Sequence, residues 1–184
     1  MNTMNFLQLI QNWHTKASDE DYFSKYVFEY LAFIAFLKKI KYIDAETDRR
    51  AIQHLKQDNT FKKAYLKKVN DAPNLREAWE KITEELDSTS LVNVSCSGDE
   101  AEEIKWWNCS SDHLGDQVQG EQQTAKGVIH GLGDWENMVE FWHSVRNNLF
   151  HGGKNPQDER DQLLIENGYK TLRPLVEIFL SRQG

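Results

Sequence analysis

Tyr30-Leu31-Ala32-Phe33-Ile34-Ala35-Phe36-Leu37 lies inside a helical pattern that runs from Tyr22 to Ile43. The run is apolar on almost every face, and a helix of that kind is covered by neighbours all round. It falls far short of the ~20 apolar residues that a bilayer-spanning helix needs. It therefore predicts the central helix of a bundle. Working outward, Phe6, Leu7, Leu9, Ile10 and Trp13 mark an earlier amphipathic helix, and Ser18-Asp19-Glu20-Asp21 forms a cap-like cluster between the two. Downstream, Thr47 can cap a third helix carrying Ile52 and Leu55. That helix breaks or bends near Asp58-Asn59 and continues through Phe61, Tyr65, Leu66 and Val69. Pro73 separates it from a fourth, Asn74 to Leu86.

From 87 to 133 the character changes to Ser, Gly, Asp and Glu, with glycines at 98, 115, 120, 127, 131 and 133. Leu91-Val92-Asn93-Val94 and Ile104-Lys105-Trp106-Trp107 read as short strands of a hairpin-like insert. Helical periodicity then returns. Asp134 caps a fifth helix running to Phe150, and Asp158 opens a sixth that runs to about Ser181, bent by Pro174. The expectation is one all-α domain over 1–184, an up-and-down bundle of about five to six helices. The irregular insert at 87–133 precedes the fifth helix.

The chain has 184 residues, 39% hydrophobic and 28% charged, enough to bury a core in a soluble globular domain. The first twenty residues show no basic region followed by an apolar run, so no secretory signal is expected. Two cysteines make no disulfide framework, and a cytoplasmic location is expected with no membrane partner. Without export, the glycosylation patterns at Asn93 and Asn108 carry no meaning. A net charge of −7 speaks against a general nucleic-acid coat. The charge is uneven, however. Lys38 to Lys68 holds ten Lys/Arg against four Asp/Glu (+6), whereas Asp71 to Glu103 holds ten acidic residues against two basic ones (−8). These are either solvated helix faces or, for the first, a surface that guides a polyanion.

Chemistry concentrates at the end of the fifth helix, in Val145-Arg146-Asn147-Asn148-Leu149-Phe150-His151-Gly152-Gly153-Lys154. With Trp135 at zero and ~100° per residue, Met138, Val139, Trp142, Val145 and Leu149 form one apolar stripe within ~80°. Arg146 falls at ~20°, inside that stripe. A guanidinium there either pairs with a core carboxylate or marks an opening onto a cleft or a partner chain. Asn147 and His151 are four residues apart and share a face. His151 sits at the carboxyl end, where the helix dipole favours an imidazolium, and the glycines that follow suit a left-handed terminator. A His can take the proton of a ribose 2′-hydroxyl or protonate the leaving 5′-oxygen, while an Arg holds the phosphate oxygens as charge builds. Lys154, Asn148 and His143 are candidate substrate contacts; His143 lies at the stripe's edge, where a packing role is the plainer reading. One His per chain is awkward for a reaction that uses both an acid and a base, and a two-fold dimer would remove the difficulty.

Arg146, Asn147 and His151 match the Arg, polar residue, three residues, His pattern of the HEPN superfamily, which the segment resembles. Gly152-Gly153-Lys154-Asn155-Pro156 and a closing helix with Leu163, Leu164, Leu172, Leu175 and Phe179 are similar too. So is Phe23-Ser24-Lys25-Tyr26-Val27-Phe28-Glu29-Tyr30-Leu31-Ala32-Phe33, which resembles the long helix that pairs with the motif helix in abortive-infection-type members. The resemblance covers 1–45 and 134–182. It implies a helical bundle that forms a homodimer with both motifs facing one cleft. The implied activity is metal-independent endoribonuclease cleavage of RNA in phage defence or toxin–antitoxin systems, alongside a cognate antitoxin or defence partner. Arg146 would stabilise the phosphate, His151 would be the acid/base, and Asn147 would orient them or bind the ribose-phosphate. The alternative is a non-catalytic dimerisation or nucleotide-binding module of the same superfamily. Toxins paired with a nucleotidyltransferase antitoxin often carry a Tyr two residues after the His; Gly153 stands there, so control by nucleotidylation is not implied.

Elsewhere, Cys96, Cys109, His113 and His130 lack the close pairing that metal knuckles use, and no metal or cofactor is expected. Trp106-Trp107 either stack bases or anchor the insert.

Overall fold

A computed structural model describes residues 5–18, 21–91, 127–152 and 154–182. Among them are seven α-helices and no strand: α1 (Phe6–Lys16), α2 (Tyr22–Phe36), α3 (Asp48–Gln57), α4 (Asn59–Asp71), α5 (Pro73–Ser88), α6 (Trp135–Phe150) and α7 (Glu159–Ser181). A π turn, Leu37–Lys41, prolongs α2. The all-α expectation therefore holds. None of the described helices is long and apolar enough to cross a membrane.

Most boundaries follow from capping chemistry. The Asn5, Asp21 and Thr47 side chains accept from backbone N–H groups at the start of α1, α2 and α3. Asp58 ends α3 through its own N–H and caps α4 with its carboxylate, which accepts from Thr60 and Phe61. The expected break near Asp58-Asn59 is thus a clean junction. Pro73 occupies the first turn of α5, where its missing N–H costs nothing. Asp158 caps α7, which runs through Pro174 unbroken. At α6 the cap differs: Asp134 spends its carboxylate on the His130 N–H and the Asn137 side-chain amide instead of the backbone N–H groups of the helix.

The core is aromatic. Phe33, Phe36, Phe61 and Phe179 form one group, with Phe36 stacked on Phe179 at 4.3 Å between ring centres. Trp79, Trp135, Trp142 and Tyr65 form a second. Helix α7 packs against α1, α2, α4, α5 and α6, so it shares the central position with α2. At Gly168 a Cβ would meet the Tyr26 ring at 2.9 Å, which explains why α7 needs a glycine where it crosses α2. The Tyr30–Leu37 run is less enclosed than its composition suggests. Tyr30, Ala32, Phe33, Phe36 and Leu37 are buried, whereas Leu31, Ile34 and Ala35 are half-buried.

The expected strand at 91–94 is not seen at Leu91, which is buried and donates its N–H to the Gly127 carbonyl. The rest of the predicted hairpin, with Trp106, Trp107, Cys96, Cys109 and His113, lies outside the described residues. The contact between Leu91 and Gly127 brings the two ends of the insert together and delivers the chain to the start of α6.

Candidate functional site

Helix α6 is the most enclosed helix after its first turn: Met138 through Val145 are all buried. Its apolar stripe is where the wheel puts it, with Met138, Val139, Trp142 and Val145 inaccessible to solvent. At Arg146 the burial relaxes, Leu149 is half-buried, and Phe150 is 57% exposed. The stripe therefore opens at the carboxyl end of the helix.

Among the described residues no carboxylate pairs with Arg146. The guanidinium lies 4.5 Å from the Phe150 ring centre and 5.6 Å from that of Tyr30 on α2, over two aromatic faces that suit a planar cation. Its Nη1 donates to Asn147 Oδ1 at 2.9 Å, and its buried Nε has no hydrogen-bond partner. Of the two options left by the sequence, the described residues show no buried ion pair for Arg146.

Asn147 turns its other end inward. Its Nδ2 lies 3.2 Å from His143 Nε2, and His143 Nδ1 lies 2.8 Å from the Tyr30 hydroxyl. Four groups, Arg146, Asn147, His143 and Tyr30, thus form one hydrogen-bonded chain from the open helix end into the core. His143 is only 8% exposed. Desolvation pushes its pKa down from 6.5 to about 4, outweighing the nearby Glu140 carboxylate. Burial likewise pushes the Tyr30 hydroxyl up, so both groups are neutral in ordinary solution.

His151 stands apart from that chain. It caps α6, its N–H donates to the Asn147 carbonyl, and its imidazole is exposed. Gly152 follows with φ +73, the left-handed terminator that the sequence predicts. Lys154 turns back to form an ion pair with Asp161 at 2.5 Å, with its side chain 4% exposed. Asp161 also accepts from the Asn155 N–H, so Lys154 braces the turn before α7 rather than facing solvent. Asn148 is buried on the far side of the helix from open solvent. The structure therefore gathers Arg146, Asn147 and His143, sets His151 one turn on at the surface, and occupies Lys154 elsewhere.

No protein-family model, curated protein or solved structure matches this chain. The site stands on its own geometry.

Two neighbouring features were not read from the sequence. Glu140, fully buried on α6, accepts from Arg49 Nη1 at 2.6 Å and Lys56 Nζ at 3.2 Å, tying α6 to α3. Tyr30, counted as core, contributes a hydroxyl to the site. A signal existed: Tyr26 and Tyr30 are four residues apart on one face of an apolar helix, and buried phenols need partners. Tyr26 finds the Trp142 carbonyl at 2.6 Å, and Tyr30 finds His143. Much of the basic segment is spent on carboxylates, through Lys38–Asp48, Lys41–Asp58, Lys67–Asp71 and Lys68–Glu177 as well as Arg49 and Lys56. His130, one of the four residues weighed for zinc, is bonded to Asp134 at 2.9 Å.

The depressed His143 pKa makes stability depend on pH with a definite sign. The unfolded chain binds a proton near 6.5 that the folded one refuses until about 4, so stability is full above the unfolded value and falls with pH between the two. The expected loss is about 3 kcal/mol from this group. Glu29, raised by burial despite its 2.6 Å contact with His14, acts in the opposite direction above its ordinary value. Comparing urea unfolding of wild type and His143→Gln at neutral and mildly acid pH isolates the His143 contribution. Parallel pH profiles for the two proteins would contradict it.

Proposed function

We propose that this protein is a HEPN-type, metal-independent endoribonuclease acting as a homodimer, with RNA as substrate. The observation that carries the reading is Arg146: a half-buried guanidinium with no carboxylate partner among the described residues, lying over the Tyr30 and Phe150 rings and steered by Asn147 at the open end of α6. A cation held this way keeps donors for the non-bridging oxygens of a phosphodiester. The exposed His151 sits one turn further along the same helix. In the proposed reaction His151 of one protomer removes the 2′-hydroxyl proton, and the 2′-oxygen attacks phosphorus. The bond to the 5′-oxygen breaks as that oxygen takes a proton from His151 of the partner subunit. A 2′,3′-cyclic phosphate and a 5′-hydroxyl result, and Arg146 stabilises the charge on the phosphorane oxygens.

Cleavage of a labelled single-stranded RNA in the presence of EDTA tests this. Arg146→Ala is expected to lower the rate by about 10²–10³-fold and His151→Ala by about 10²–10⁴-fold. Neither should unfold the protein, because His151 is exposed and Arg146 lies outside the enclosed part of α6. A folded, dimeric wild type that leaves RNA intact would replace the enzyme with a non-catalytic module. Full activity in His151→Ala would remove this site from the reaction.

A further inference from the structure

We propose that His143, held as its neutral Nδ1–H tautomer between Tyr30 and Asn147, is a positioning residue that orients Asn147 and through it Arg146. This rests on the ribonuclease reading for its purpose, but the arrangement itself follows from donors and acceptors alone. A guanidinium only donates, so the Asn147 atom facing Arg146 must be the carbonyl oxygen. The amide nitrogen then faces His143 and donates, so His143 Nε2 must present a lone pair. An imidazole with a bare Nε2 carries its proton on Nδ1, and that proton goes to the Tyr30 oxygen. Every alternative puts two donors face to face: an imidazolium would oppose its Nε2–H to the Asn147 amide, and a flipped amide would oppose Arg146.

The surroundings favour the same state. Tyr30 comes from α2, Asp48 and Arg49 from α3, and Glu140 and Arg146 from α6 itself. Of these, Glu140 and Asp48 favour a charged imidazole and Arg49 and Arg146 oppose it; Glu140 is shared with Arg49 and Lys56, Asp48 with Lys38, and burial outweighs both carboxylates. The Tyr30 ring is also inclined by 29° to the imidazole, with centres 6.5 Å apart, and underlies Arg146 as well. One tyrosine thus supports both ends of the chain: its hydroxyl oxygen accepts the Nδ1–H that Asn147 imposes on His143, and its face carries the guanidinium that Asn147 aims. His143 is excluded from solvent and has both nitrogens engaged, so it serves by positioning rather than by touching substrate.

Long-range ¹H–¹⁵N NMR on the wild-type protein reads the tautomer directly. We expect a protonated Nδ1 and a bare Nε2, unchanged from about pH 8 to about pH 5.5, a range in which an ordinary imidazole titrates. The Arg146 Nε–H signal, assigned by its disappearance in Arg146→Lys, reports the far end of the chain. In His143→Leu that signal should shift and broaden, and kcat for RNA cleavage should fall about ten- to hundredfold, with KM changed by less than about twofold. His143→Gln, whose Oε1 can accept where Nε2 did, should restore most of both. Tyr30→Phe keeps the ring but leaves the Nδ1–H without its acceptor; the Asn147 amide still requires a bare Nε2, so the tautomer should persist while the imidazole loses its fixed orientation. A wild-type ring protonated on Nε2, or an Arg146 signal indifferent to His143→Leu, would overturn the proposal. If the wild type cuts no RNA, the ribonuclease reading fails, while the tautomer and the Arg146 signal still decide the positioning role.

Discussion

Replacing Glu140 by Ala should destabilise the fold by about 3–5 kcal/mol, measured as a drop in the urea midpoint at neutral pH. Glu140 is inaccessible to solvent and accepts from Arg49 and Lys56 at once. The Lys56 side chain is 6% exposed. With the carboxylate gone, its ammonium remains in the interior without that counter-charge, and this rather than the lost attraction sets the cost. Arg49, a quarter exposed, can turn toward water and contributes less. Losing one partner and losing both should therefore differ. Glu140→Leu combined with Lys56→Met removes both buried charges and should recover most of the loss, since well-packed apolar groups of similar volume often replace a buried pair without penalty. A double variant as unstable as Glu140→Ala would show that the pair contributes more than desolvation accounting allows. The expected damage reaches the site, because this cluster ties α6 to α3 one turn below His143.

How much of this was readable in the chain depends on the distance over which each determinant acts. Helix starts are local events, and Asp21, Thr47, Asp58, Pro73 and Asp158 announced them because a cap needs only its own next three residues. Even there, a competing local partner can intervene. Asp134 looks like a cap, but its carboxylate is taken by His130 and Asn137. Likewise the run toward Ile43 is helical by pattern. It changes to a π turn at Leu37–Lys41, and Ile43 ends 75% exposed.

The site divides along the same line. The position of Arg146 inside the apolar stripe was a property of one helix and could be computed from spacing. Its near partners, Asn147 and Phe150, lie on the same helix, but the groups that anchor the chain in the core come from far away, and spacing does not say which of them meet. Tyr30 and His143 are 113 residues apart, and Glu140 meets Arg49 across 91. Lys154 shows the converse. Next to the glycines it resembles a loop cation poised for phosphate, but Asp161, seven residues on, folds it back into the turn. A sequence reading sees which charges are near in the chain, whereas burial decides which of them are left for a ligand.

Trp142→Ala should be among the most damaging single substitutions in this fold, costing about 3–5 kcal/mol. That is a large share of the roughly 5–15 kcal/mol that a domain possesses. Trp142 is fully buried and meets Trp79 at 5.4 Å, Tyr65 at 5.5 Å, Phe33 at 6.2 Å and Trp135 at 6.3 Å between ring centres. Those rings belong to α5, α4, α2 and α6, so one side chain ties the motif helix to most of the bundle. Its Nε1 donates to Thr171 Oγ1 on α7 at 3.0 Å. Trp142→Phe keeps most of the apolar surface and loses that donor, and should cost only about 1–2 kcal/mol. The two variants also separate stability from chemistry. If RNA cleavage is the activity, Trp142→Ala should lose it in proportion to the unfolded fraction and regain it on cooling toward the stability maximum. Arg146→Ala should stay inactive at every temperature while remaining folded. Retention of a wild-type melting temperature by Trp142→Ala would mean that the aromatic cluster repacks around the gap, and that α6 is held mainly by its polar ties to α3 and α2.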